Sequence, residues 1–109
     1  MLLASQAIAA GAPAVLWSVP EGKRAIVTLN ICNRGAGRPK VGVALKAGGA
    51  AVGNADWIEF DTPIAPAGSI DGSVLERTGL MLTAGDRIWV SASLANVSAV
   101  LWGLVEDLV

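Results

Sequence analysis

The sequence predicts an all-β protein: a single antiparallel β-sandwich, or jelly-roll-like domain, with an extended N-terminal arm. Three observations predict it. Apolar and polar residues alternate at period two in several short runs, clusters of Gly, Pro, Asn and Asp separate those runs, and no segment after residue 13 carries helical periodicity. A small closed barrel is the competing arrangement of the same strands. A chain of 109 residues holds one domain. Residues 1–13 read as the arm and 14–109 as the sandwich.

The arm, MLLASQAIAAGAP, is small and apolar, with no charged side chain before Glu21. It lacks the basic start of a cleaved signal peptide. Such a segment frays in water unless something ties it down. The expectation is that it lies against another chain through Leu2, Leu3 and Ile8.

Residues 14–19 form the first expected strand, stopped by the turn Pro20-Glu21-Gly22. Residues 23–33 form the clearest one. Ala25, Val27, Leu29 and Ile31 share one face, Ile26, Thr28, Asn30 and Cys32 the other, and the β-branched content agrees. Residues 34–39 are a loop, and Val41, Val43 and Leu45 mark the next strand. The small residues of 47–54 form a second loop. Residues 57–61 follow as a strand with Ile58 and Phe60 expected inward and Trp57, Glu59 and Asp61 outward. Residues 62–73 form a long excursion, and 74–82 is extended. Residues 87–93 and 97–105, flanking a turn at Ala95-Asn96, read as a hairpin. Ile88, Val90 and Ala92 take its inner face, with Arg87, Trp89, Ser91 and Ser93 outside.

Composition narrows the function. Hydrophobic residues make up 53% and charged residues 16%, both displaced from ordinary soluble averages in the direction of burial. That fits a chain that buries surface twice, on folding and on assembly. No run approaches the roughly 18 apolar residues of a membrane span. With a net charge of −1 and no long basic block, there is no electrostatic case for direct nucleic-acid binding. Cys32 is the single cysteine, so no intrachain disulfide forms.

Histidine is absent, which removes the commonest general base, nucleophile partner and metal ligand. The carboxylates Asp56, Glu59 and Asp61, with Glu76 and Asp86, offer the residue types of a glycosidase pair or a calcium site. Solvated carboxylates matched to Lys or Arg explain them more simply. The expectation is no enzyme, no cofactor, and no catalytic or metal site.

The four tryptophans are the stronger signal. Trp17 shares parity with Val15 and Val19 and is a core candidate. Trp57 and Trp89 fall opposite their local apolar sets, and Trp102 sits in a run apolar on both faces. Buried aromatics anchor subunit contacts, so Trp57, Trp89 and Trp102 join Leu2, Leu3 and Ile8 as candidate interface residues. The alternative is a carbohydrate-binding module in which exposed Trp stacks on sugar beside Glu59 or Asp61.

Four segments carry a family resemblance: SVPEGKRAIVTLNICNRG (18–35), ADWIEFDTPI (55–64), VLERTGLMLTAGDRIWVSAS (74–93) and NVSAVLWGLVE (96–106). A VPxGK turn opens a strand ending at CNRG, and GDxIxV followed by VSxxxxG closes the sheet. In these patterns the chain resembles small β-sandwich proteins and modules of tailed-bacteriophage virions. The resemblance implies a virion structural part, first a capsid decoration or cement protein, alternatively a tail, baseplate or fibre-attachment module. It implies a homotrimer bound to a major capsid or tail protein and localisation to the virion after assembly in the host cytoplasm. These motifs contain no active-site residues.

Overall fold

The structure, a computed structural model, describes residues 1–108; Val109, the last position of the expected domain, lies outside the described residues. Eight strands follow in order: β1 (Leu2–Ile8), β2 (Ala14–Ser18), β3 (Lys23–Asn33), β4 (Lys40–Ala47), β5 (Trp57–Pro63), β6 (Val74–Thr83), β7 (Asp86–Ala92) and β8 (Val97–Asp107). They form two antiparallel four-stranded sheets, β1-β8-β3-β6 and β2-β7-β4-β5. The expected all-β sandwich is therefore the fold. Among the described residues, β4 and β5 are the only consecutive strands that share a sheet. Every other connection crosses between the sheets, the double Greek-key order of an eight-stranded jelly roll.

Alternation builds the core. Ala25, Val27, Leu29 and Ile31 of β3 are buried and face Ile88, Val90 and Ala92 of β7 and Val41 and Val43 of β4 across the sandwich. Val97, Ala99 and Leu101 of β8 complete the same layer. Burying each Val, Leu or Ile of this layer contributes about 1.5–3 kcal/mol and each Ala less, and the strand period delivers them to one side without further instruction.

Two expectations change here. β7 and β8 are not a hairpin: they lie in different sheets, and the Ser93–Asn96 connection arches over the core. Alternation and turn residues mark a chain reversal equally well whether the next strand pairs in-sheet or crosses the core. The N-terminal segment is extended, as expected, yet its partner is the chain's own β8. β1 is an edge strand, with Leu2 opposite Trp102 and Ile8 opposite Val97. Residues 9–13 then cross to the second sheet, where Ala10 bridges to Ala92 and the Gly11 N–H donates to the Ala92 carbonyl.

Loops at the end of the sandwich that holds the Ser93–Asn96 arch are tied together by Asn33, which is 1% exposed. Its Nδ2 donates to the Gly37 and Ala65 carbonyls, both at 2.9 Å, and its Oδ1 accepts from the Gly35 N–H at 2.9 Å. One side chain thus satisfies backbone groups of the 34–39 loop and of the 64–73 excursion, groups that are costly to bury unpaired.

Candidate functional site

The six predicted interface residues do not form one surface. Ile8 is a core residue, 5% exposed, because its position opposite Val97 turns it inward. Leu3 sits at a register shift between Leu2 and Ala4 and packs against the core. Ile8 is closed to a partner, whereas Leu3 stays partly exposed. Leu2 is exposed on the outer face of the first sheet beside Trp102. Trp89 and Trp57 belong to the second sheet, so they lie on the opposite outer face of the sandwich from Trp102. Sequence parity sets Trp57 and Trp89 on outward faces, where they lie, and leaves Trp102 in a run apolar on both faces; the jelly roll puts Trp102 on the other side of the molecule from them.

On the second sheet the register sets Trp57 opposite Ala44, Ala44 opposite Trp89, and Trp89 opposite Val15. Gly42 and Ala44 face outward on β4, yet both are buried. Small side chains there leave room for the indoles. A Cβ added at Gly42 would stand 2.6 Å from Cζ3 of Trp57. Trp57 and Trp89 are half-buried in consequence, and the Trp89 Nε1 is buried without a hydrogen-bond partner. Trp17, expected as core, packs against the core past a bulge between Val15 and Trp17.

Bulges also overturn the expected faces of β5. Its register on β4 shifts twice, and Asp61 takes φ 51°. Trp57 stays outward as expected, whereas Glu59 lands opposite Val43 and turns toward the gap between the sheets. There it pairs with Arg77 of β6 and accepts a hydrogen bond from the Thr62 hydroxyl at 2.6 Å. Ile58 and Phe60, expected inward, are 37% and 66% exposed. Phe60 meets Trp57 edge-on, with ring centroids 5.5 Å apart. These two rings and Asn54 line a shallow open pocket of about 340 Å³.

Most of these candidate carboxylates have local partners. Asp56 accepts the Gly53 N–H at 2.7 Å and pairs with Lys46 at 3.2 Å. The Gly53 hydrogen bond, aided by Lys46, holds its carboxyl below the usual value of 3.8. Asp86 accepts from the Thr83 N–H, and Glu76 lies 3.5 Å from the Asn30 amide. Asp61 is exposed. Among the described residues no three His, Cys, Asp or Glu side chains gather as a metal set.

What sequence reading missed is the rest of the outer face of the first sheet, the face that carries Leu2 and Trp102. Ile26 of β3, Met81 of β6 and Leu104 of β8 are one cross-strand row. They are 47%, 78% and 60% exposed. Leu2, Trp102 and Thr28 form the next row. The signal lay in the apolar residues on the polar-expected faces of 23–33 and 74–82, Ile26 and Met81. It became a patch only when the strand order set them beside Leu104.

Fold and surface together define an eight-stranded jelly-roll sandwich whose first sheet carries an exposed apolar band. The chain matches no protein-family model, and comparisons with curated proteins and with solved structures give no match.

Proposed function

We propose that this chain is a non-enzymatic structural component of a bacteriophage virion, a capsid decoration or cement protein that stabilises the particle through subunit contacts. The observation that carries the reading is the apolar band on the first sheet. Side chains that large, left in water across three adjacent strands, mark a surface made for contact. The segments 18–35, 74–93 and 96–106 that resemble virion modules include β3, β6 and most of β8, the three strands of that band. Jelly rolls serve both capsid and lectin domains, so the fold is compatible with the reading by analogy alone. A tail, baseplate or fibre-attachment position is the alternative placement within the same class.

The test is location. Cryo-electron microscopy of purified particles with and without the chain is expected to show its density on the capsid exterior. Density at the tail transfers the reading to the alternative placement, and absence from purified virions overturns it.

One observation favours a second reading, a carbohydrate-binding module. Trp57, Phe60 and Asn54 offer two aromatic surfaces and an amide around an open pocket. Glu59, paired with Arg77, turns away from this pocket toward the gap between the sheets, so Asn54 would supply the polar contact. Glycan-array binding that is lost in Trp57→Ala, with the fold retained, would support this reading.

A further inference from the structure

We infer that the outer face of the first sheet is a self-complementary surface that receives a second copy of this chain about a two-fold axis. The axis runs parallel to the strands, midway between β3 and β8. This deepens the structural reading above but does not depend on the particle, since it concerns the chain alone.

The argument begins with the register. On the outer face, β3 presents Arg24, Ile26 and Thr28, and directly opposite them β8 presents Glu106, Leu104 and Trp102. Two-fold rotation about an axis between these strands exchanges them. Each copy's β3 then lies over the other copy's β8, with the rows matched. Arg24 meets Glu106 of the second copy, Ile26 meets its Leu104, and the small Thr28 meets its Trp102. Cation faces carboxylate, aliphatic faces aliphatic, and a large ring faces a short side chain. Packed sheets align within about 30° of one another, so the match is closest along the β3 and β8 rows that flank the axis.

Charge selects this occupant. Lys23 and Arg24 stand on β3, and their partners Asp107 and Glu106 on β8. Lys23 and Asp107 alternate to the other face, so the band ends in one cation, Arg24, beside one carboxylate, Glu106. A partner of single charge sign would meet as many like charges as opposite ones. A copy of the same face sets Arg24 against Glu106 twice, because the two-fold axis exchanges the cationic and the anionic strand, and it lays Glu76 of β6 over the uncharged β1.

Size is sufficient. Four strands span about 19 Å, and eight residues of strand about 26 Å. That is a projected area of about 500 Å² per copy before side-chain relief is counted. Two such faces reach the ~1,000 Å² at which an interface becomes credible. Beside the band, Arg24, Ile26, Met81, Glu106 and Leu108 border an open cleft of about 570 Å³, which gives the opposing side chains a recess to enter.

The experiment is sedimentation equilibrium on the full chain at micromolar to millimolar concentration, with circular dichroism to confirm folding. The wild type is expected to dimerise. Leu104→Glu and Met81→Glu replace exposed residues, so both are expected to fold and to weaken the dimer at least about tenfold. Arg24→Glu and Glu106→Arg are each expected to lose the dimer. An equimolar mixture of those two variants is expected to regain it, because each unlike pair then meets across the axis while both intrachain pairs remain broken. Adding Leu104→Glu to either member must abolish the mixed dimer. A monomeric wild type, a trimer, a dimer indifferent to Leu104→Glu, or a mixture that stays monomeric overturns the inference. A dimer of a chain absent from virions would leave this inference and remove the virion reading; a monomer found on virions would do the reverse.

Discussion

The Trp57 indole lies over the place where Gly42 lacks a side chain. A methyl group there would stand 2.6 Å from both the Trp57 ring and the Ser91 hydroxyl. The smallness of one residue in β4 thus sets the position of an aromatic ring in β5.

Gly42→Ala is expected to push Trp57 off β4 and cost about 1–3 kcal/mol, the range for overpacking a filled site. Chemical denaturation gives the cost, and Trp fluorescence reports the displaced ring. The cost should shrink when Trp57→Ala is combined with it, because the two residues share one space. Simple additivity of the two changes would show that they do not.

Gly103 is a harder constraint. A Cβ there would run into the Ile26 carbonyl oxygen and stand 2.8 Å from the Val27 Cα, both in the backbone of β3. A backbone clash cannot be relieved by a rotamer change. Gly103→Ala is expected to cost about 3 kcal/mol or more, read as a lowered denaturation midpoint. A near-neutral result would mean that β3 and β8 lie farther apart than described.

Asn33→Ala leaves the Gly37 and Ala65 carbonyls and the Gly35 amide without their side-chain partner. The expected loss is about 2–4 kcal/mol. Hydrogen exchange should speed up first at Gly35, at the point where Asn33 holds its loop. Unchanged exchange there would rule out the tying role.

The buried Trp89 Nε1 finds no partner, so its N–H carries a desolvation cost without a compensating bond. Trp89→Phe keeps most of the ring and removes that donor. It is expected to be neutral or mildly stabilising, in contrast to Trp89→Ala, which uncovers the platform around Ala44. Thermal unfolding of the two variants decides it: equal destabilisation would contradict the assignment.

Asp56 sets an acid limit. Its folded pKa lies below 3.8, held down by the Gly53 amide and Lys46. A carboxyl depressed in the folded state adds stability above its unfolded pKa, and that stability is lost as pH falls through the folded value. The wild-type advantage over Asp56→Asn should therefore be full at neutral pH, begin to fall below about pH 4, and disappear only once pH has passed through the lower folded value. Thermal unfolding across that range is the check, and a difference independent of pH would contradict it.

Strand positions were legible because period-two alternation is written locally. Ala25, Val27, Leu29 and Ile31, and likewise Ile88, Val90 and Ala92, declared their buried faces in sequence and occupy them. β5 resisted the same reading. Its bulges shift the register on β4, and one extra residue moves each following side chain to the other face. Glu59 and Phe60 therefore exchanged their expected sides. β1 reads from sequence as an arm lying against another chain because its alternation is weak, and its place depends on the open edge of β8, a strand some ninety residues away.

By itself the sequence determined that this chain is all-β, where most of its strands run, and which residues those strands turn toward a core, since each follows from neighbours within a few positions. Only the tertiary structure decided which strands share a sheet. That choice sent β7 and β8 to opposite sheets, placed Trp89 and Trp102 on opposite sides of the molecule, and drew Ile26, Met81 and Leu104 into one row. The physical reason is that pairing joins residues far apart in the chain. Whether an outward apolar side chain stands alone or becomes part of a surface depends on the strand laid beside it.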